Sequence, residues 1–278
     1  MRRFRSRSGR IGLVGFCLII LLALSAPYIA PHNPREQAII YRLRPPVWME
    51  QGNREFFLGT DQLGRDTLSR LIFGARVSLL IGSVAVVGAA VIGVTLGLLA
   101  GYFGGRIDYA ISTIINAAWS FPFILLALII VAVLGSSISN LIIALVATSW
   151  ASFARIVRGE VIRLRDLEYV DAARALGMPA ALIITKHIFP NVLSSIFVIA
   201  SIEFARAILR ESFLSFLGLG VPPSVPSWGG MLSEGRTYIF SHWWLVTLPG
   251  IAIFLTSLSI NLLGDGLRDA FDPRLRNP

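Results

Sequence analysis

The chain has 278 residues, of which 55% are hydrophobic and 15% charged, with a mean hydropathy of +0.71. That is too apolar for a water-soluble domain of this size, and the charges fall between long apolar runs, which indicates a polytopic membrane protein. The net charge of +9 needs no nucleic acid, because with the N-terminus placed inside, 15 of the 25 Lys and Arg residues fall in inner segments, eight in outer segments and two in a span.

Residues 1–10 are arginine-rich and are predicted to be an inner N-terminal segment, followed by a first transmembrane helix over residues 11–30. Its competing reading is a cleaved signal peptide ending near Leu24-Ser25-Ala26; the length of the apolar run and the five further runs favour a retained span. Residues 31–76 form a long outer loop. Its string Leu58-Gly59-Thr60-Asp61-Gln62-Leu63-Gly64-Arg65-Asp66 is polar and punctuated by glycine, so on residue chemistry alone its role is structural.

The second span, 77–100, carries no charge, and Ala85, Ala89, Gly93, Gly97 and Gly101 recur every four residues. Small residues at that spacing admit a close helix partner, more readily within the same subunit than between subunits. The third span is placed at 109–134 with a kink at Pro122, and the fourth at 138–154. The lone Cys17 excludes an internal disulfide.

Residues 155–190 are inner and are not built like a loop. Tyr169 and Asp171-Ala172-Ala173 lie in a helix-favouring run that Gly177 interrupts. Pro179 starts a second helical segment, which runs to His187-Ile188-Phe189 and is closed by Pro190. A helix–glycine–helix element at a membrane surface suits docking of another protein, with His187 serving the packing of the loop itself.

The fifth span, 192–219, holds Glu203, Arg206, Arg210 and Glu211. At 100° per residue the first three share an arc of about 60°, with Glu211 roughly 80° from Glu203. Each charge facing lipid near the bilayer centre would cost roughly 2.5–3.5 kcal/mol, so the stripe is expected to face the interior of the bundle. Two roles stay open there, lining a translocation path or bracing helices through ion pairs. The outer segment 221–243 contains Pro222-Pro223, Pro226 and an exposed Trp228, a pattern for an interfacial anchor or, less strongly, a lid. A sixth span at 243–263, with Pro249 as a kink, leads to an inner tail over 264–278.

The order from Asp171-Ala172-Ala173 through Gly177 to Pro190 resembles the EAA loop of ABC importer permeases, with Asp171 where Glu is usual. The ending His187-Ile188-Phe189-Pro190-Asn191 resembles the oligopeptide/dipeptide/nickel branch. So do the 58–66 string, Gly74-Ala75-Arg76-Val77-Ser78-Leu79, the run 211–220, and Asn261 to Asp269 followed by Asp272-Pro273-Arg274. The resemblance implies an all-α membrane protein of type I importer fold, with 77–263 as the permease domain and both termini cytoplasmic in a bacterial inner membrane. It implies a homologous second permease, two ABC ATPase subunits that hold ATP-Mg, and an external solute-binding protein. It places the coupling helix at Asp171–Gly177, and it sets Asp61, Gly64, Arg65 and Asp66 near the docked binding protein. Peptides lead among the implied substrates, with nickel chelates or glutathione-like solutes behind.

Enzymatic chemistry finds no support in the residues. The only lysine, Lys186, follows Ile183-Ile184-Thr185 and not a glycine-rich phosphate loop. His32, His187 and His242 are scattered without ligand spacing, so no metal site is predicted, and Ser149 and Ser152 lack a neighbouring base. A six-span channel is the competing class, but it leaves the helix–glycine–helix element unexplained.

Overall fold

A computed structural model describes residues 7–271; Arg2, Arg3 and Arg5, and the Asp272-Pro273-Arg274 string, lie outside them. Among the described residues, five helices are long and apolar enough to cross a bilayer, or six spans if one bent pair counts as a single crossing.

Helix α1 (Arg7–Leu24) is followed at Ser25 by the short α2 (Ala26–Ile29), which has a proline in its first turn. The first apolar run is thus not one straight helix over 11–30. It is nevertheless built into the bundle. A Cβ on Gly12 would lie 2.3 Å from the Leu263 backbone nitrogen, and one on Gly15 would lie 2.5 Å from Ser259 Oγ. Backbone contact that close with the last helix of the fold belongs to a retained span and argues against the signal-peptide reading.

Helix α3 (Thr67–Phe103) starts ten residues before the expected span, because Asp66 caps it by accepting from the Ser69 backbone N–H at 2.8 Å. The small-residue stripe then meets α6 (Ile138–Arg165). A Cβ on Gly93 would sit 2.3 Å from Trp150 O, and one on Gly97 would sit 2.8 Å from Ala154 O. The stripe therefore packs inside one subunit. Helix α6 also outlasts the expected 138–154, because Val157, Val161 and Leu164 continue its buried face along α3.

The third expected span is two helices, α4 (Gly105–Ser120) and α5 (Phe123–Leu134), bent by 87° at Phe121-Pro122. A proline kink within one helix is too small a description of that turn. Past α6 come α7 (Glu168–Ala175) and α8 (Ala180–Ile183), then a π turn over Ile184–Ile188 that runs into α9 (Phe189–Phe216). Pro190 therefore does not close a helix. It occupies the first turn of α9, and the widened turn before it lets the Phe189 N–H reach the Ile184 carbonyl. Helix α10 (Trp228–Gly235) lies between the last two long helices, and α11 (Trp244–Phe271) carries Pro249 in its interior.

Candidate functional site

Three groups of side chains stand out, one at each end of the bundle and one between them. At one end of the bundle, α7 is anchored by Val170 and Ala173, which are buried with Leu164, Ile183, Ile188 and Val192. Its other face, Asp171, Ala172, Arg174 and Ala175, is exposed, and Leu176 is 86% exposed. The helix ends where the Gly177 N–H donates to Arg174 O at 3.0 Å and the Met178 N–H to Ala173 O at 3.1 Å. Gly177 adopts φ +76°, the left-handed conformation that glycine takes without a steric penalty, and a Cβ there would meet no atom within 4 Å. Pro179 then supplies the carbonyl that accepts from the Leu182 and Ile183 N–H groups. Asp171 pairs with Arg174 at 2.8 Å on the exposed face. The Tyr169 and His187 rings lie 6.2 Å apart, which brings His187 beside α7; Asn191 Nδ2 donates to the His187 carbonyl at 2.6 Å. Of the expected coupling residues, Tyr169, Asp171, Ala172, Ala173 and Gly177 lie on α7 and its C-terminal cap, where Leu176 is the most exposed apolar side chain, while His187 lies in the π turn and Pro190 in α9. Sequence reasoning passed over Leu176, although its place one residue before the interrupting glycine marks it.

Between the two ends, Glu203 is fully buried on α9. It accepts from Arg206 Nη1 at 2.8 Å and from Arg210 Nη1 at 3.3 Å. Arg210 Nη1 also donates to Ser149 Oγ on α6 at 2.7 Å, and its guanidinium lies 5.0 Å from the centre of the Phe123 ring. Both arginines line a cavity of about 210 Å³ whose wall includes Trp119, Phe121 and Phe123, the residues at the α4–α5 bend. Glu211 does not join them. Its carboxylate is caged by the Ser215, Ser212 and Ser78 hydroxyls at 2.9, 3.3 and 3.3 Å, on the side of α9 that faces α3. The four charges thus divide: Arg206 and Arg210 line the cavity and pair with the buried Glu203 behind them, and Glu211 is a separate buried hydrogen-bond centre. Ser149 was not foreseen as a partner, and only its three-dimensional neighbour gives it one.

At the opposite end, Asp61, Arg65, Arg70 and Glu234 form a buried ion network. Arg65 Nε donates to Asp61 Oδ2 at 2.6 Å and its Nη2 to Glu234 Oε2 at 2.6 Å. Arg70 Nη1 donates to Glu234 Oε2 at 2.7 Å and also to Asp61 Oδ2. Asp61 Oδ1 accepts in turn from the backbone N–H groups of Leu63 and Arg65. Gly64 has φ +75°, and a Cβ there would overlap Ala38 O at 1.9 Å, so only glycine fits the turn. Arg70 and Glu234 were missed, the one inside an expected loop and the other far along the chain. Trp228 is not an exposed anchor: it is 2% exposed, its indole N–H donates to Leu71 O at 3.0 Å, and its ring lies against Gly74. It fastens α10 to α3.

Residues 93–277 match the family described as the binding-protein-dependent transport system inner membrane component, and residues 1–46 match the N-terminal TM domain of oligopeptide transport permease C. The chain is 45% identical over 266 residues to a di/tripeptide transport system permease protein of Pseudomonas aeruginosa, covering 96% of this chain and 88% of that protein. It is 45% identical over 272 residues to a dipeptide transport system permease protein of Escherichia coli, covering 98% of this chain and 91% of the relative. In fold it is similar to the MetNI methionine ABC transporter in an inward-facing conformation, with a TM-score of 0.58 at 20% identity over 72% of this chain and 96% of that one. An amino acid ABC transporter gives a TM-score of 0.55 at 19% identity, over 70% of this chain and 91% of its own. The spans, the α7–Gly177–α8 element and these matches together show that the chain belongs to the binding-protein-dependent transport system inner membrane component family, the permease subunits of ABC importers.

Proposed function

We propose that this chain is the membrane-spanning subunit of an ATP-driven importer of dipeptides and short oligopeptides, forming half of the translocation path. The observation that carries the substrate class is the 45% identity, over nearly the full length, to a di/tripeptide and a dipeptide permease. The proposed assembly adds a homologous second permease, two ATPase subunits that bind ATP-Mg, and an external solute-binding protein that delivers the peptide. Both termini and the α7–α8 element face the cytoplasm of a bacterial cell, and the outer network and α10 face the binding protein.

In this reading the exposed face of α7, from Asp171 to Leu176, seats in a groove of the ATPase subunit. Closure of the ATPase dimer on ATP moves the element, and the helices pass from an inward-open to an outward-open arrangement; hydrolysis resets them. The shift needs contacts at the element that differ in free energy between the two states. Nothing within 4 Å of a Cβ at Gly177 opposes substitution, so Gly177→Asp carries only the local cost of its positive φ, about 1 kcal/mol.

The test is uptake of a labelled dipeptide by cells carrying the full transporter, beside mass spectrometry of what copurifies with the tagged chain in mild detergent. Recovery of a second permease and ATPase subunits, with uptake lost and ATPases released in Gly177→Asp, is the expected result. Recovery of the folded chain alone would favour a channel. Normal coupling in Gly177→Asp would remove the docking role from this element.

A further inference from the structure

The cavity beside α9 carries an imbalance of charge. Of its titratable neighbours, Arg206 and Arg210 share the single carboxylate of Glu203, and both of that carboxylate's oxygens are engaged by these two arginines. The rest of the cavity wall is aromatic, aliphatic or hydroxylic, including Trp119, Phe121, Phe123 and Thr148. Arg155 adds a third cation close by. Its guanidinium stacks 3.8 Å over the Trp119 ring, and its Nη2 donates to Asn116 Oδ1 at 3.0 Å rather than to a carboxylate.

The two cavity arginines are held differently. Arg210 is braced by Glu203, Ser149 and the Phe123 ring, so its orientation is set. Arg206 commits one Nη1 contact to Glu203, and its side chain is 53% exposed. A guanidinium has five N–H donors in a planar fork suited to a carboxylate, so Arg206 keeps donors for a ligand. The α4–α5 bend adds to the bias toward negative charge. Helix α5 begins at this wall with no side-chain cap, so the positive end of its dipole lies at the cavity. Broken transmembrane helices that present such ends favour anionic groups of a solute.

We propose that this cavity is a transit subsite for the C-terminal carboxylate of the transported peptide, with Arg206 as the contacting residue and Arg210 as the fixed charge behind it. The inference rests on the peptide-importer reading above and deepens it. Glu203 sets the affinity: it removes about one of the two positive charges, so the anion is attracted without being trapped. A solute that must leave again needs a subsite of this moderate strength. The aromatic wall offers apolar and cationic peptide side chains a contact surface.

The experiment compares two forms of one peptide, a labelled dipeptide with a free C-terminal carboxylate and the same dipeptide as its C-terminal amide. Uptake is measured with the complete transporter in proteoliposomes, each form saturating the binding protein, for the wild type, Arg206→Gln and Arg206→Lys. The binding protein is the same throughout, so its own preference cancels when the acid-to-amide ratio of a variant is divided by that of the wild type. The expected result is a fall in that ratio of about tenfold in Arg206→Gln, the size of one charge-assisted contact, with partial recovery in Arg206→Lys. An equal loss for both forms would make Arg206 a brace, to this subunit or to an acidic group of the second permease, and would overturn the proposal. So would an unchanged ratio. Failure of the wild type to carry either form, while the binding protein still stimulates its ATPase, would instead overturn the peptide reading and this subsite with it.

Discussion

Arg70 and Glu234 lie 164 positions apart in the chain and meet at 2.7 Å, joining the first turn of the 37-residue α3 to the end of α10. Asp61 and Arg65 close the same network, so two acids and two arginines hold the 31–66 segment, α3 and α10 together. Removing one member of a buried pair leaves its partner charged and unmatched. Glu234→Gln is therefore expected to destabilise the junction of the 31–66 segment, α3 and α10 by about 3 kcal/mol, the low end for such a loss because Glu234 is 18% exposed. The measurement is the melting temperature of the purified complex, with trypsin cleavage in the outer loop as the local readout. Arg70→Met added to Glu234→Gln should recover part of the loss. If the single variant melts with the wild type, the network carries no stability.

Trp228 offers a second test of the same region. Trp228→Ala removes a fully packed ring from between α10 and α3, an expected loss of about 3–5 kcal/mol. Trp243, which is 43% exposed, should tolerate alanine within about 0.5 kcal/mol in detergent. Equal effects of the two substitutions on thermal unfolding would restore the anchor reading of Trp228.

The α3–α6 contact predicts opposite signs for one chemical change. Gly93→Ala puts a methyl group 2.3 Å from Trp150 O, so the helices must separate, at a cost of about 1–3 kcal/mol. Gly159→Ala on the exposed side of α6 meets nothing within 4 Å and should gain about 0.5–1 kcal/mol from helix propensity. Thermal unfolding of the two purified variants decides it. A neutral Gly93→Ala would mean that the helices are further apart than the structure places them.

Leu176 separates folding from docking. It is exposed and packs on nothing that holds the fold, so Leu176→Asp should leave stability within about 0.5 kcal/mol. If it fills a pocket of the ATPase subunit, the same substitution should cost about 2 kcal/mol or more of association, a loss of roughly thirtyfold. Titration of the ATPase subunit onto the detergent-solubilised permease pair measures it. Undiminished binding would move the contact away from this end of α7.

Local signals were legible in the sequence, and pairings across the chain were not. The small residues of α3 repeat every four positions, so their packing face could be read without a partner in view. Gly177 and Pro179 likewise act through their own backbone geometry and sat where expected. The arc shared by Glu203, Arg206 and Arg210 is a property of one helix, and these three do meet. Pro190 misled because proline ordinarily ends a helix, whereas here the preceding turn widens and the Phe189 N–H finds the Ile184 carbonyl. Trp228 misled because its partner, Gly74, lies far back in the chain, and an unpartnered Trp beside prolines reads as interfacial. The α4–α5 bend was marked at Pro122, but an 87° turn depends on what the two halves pack against, and unbroken apolarity hides it.

The continuity of the chain through Pro190 makes residues 180–216 a single rod. Its 37 residues span roughly 55 Å at 1.5 Å each. The α7–α8 junction sits at one end, and Glu203, Arg206 and Arg210 ride farther along the same shaft. A tilt or twist imposed beside Gly177, as the proposed coupling requires, would reach the arginines by leverage, without a relay of side-chain contacts between them. The π turn over Ile184–Ile188 interrupts the regular hydrogen-bond ladder of that shaft, close to its α7–α8 end. Stiffening or loosening that one turn should set how many degrees of a push arrive at the cavity.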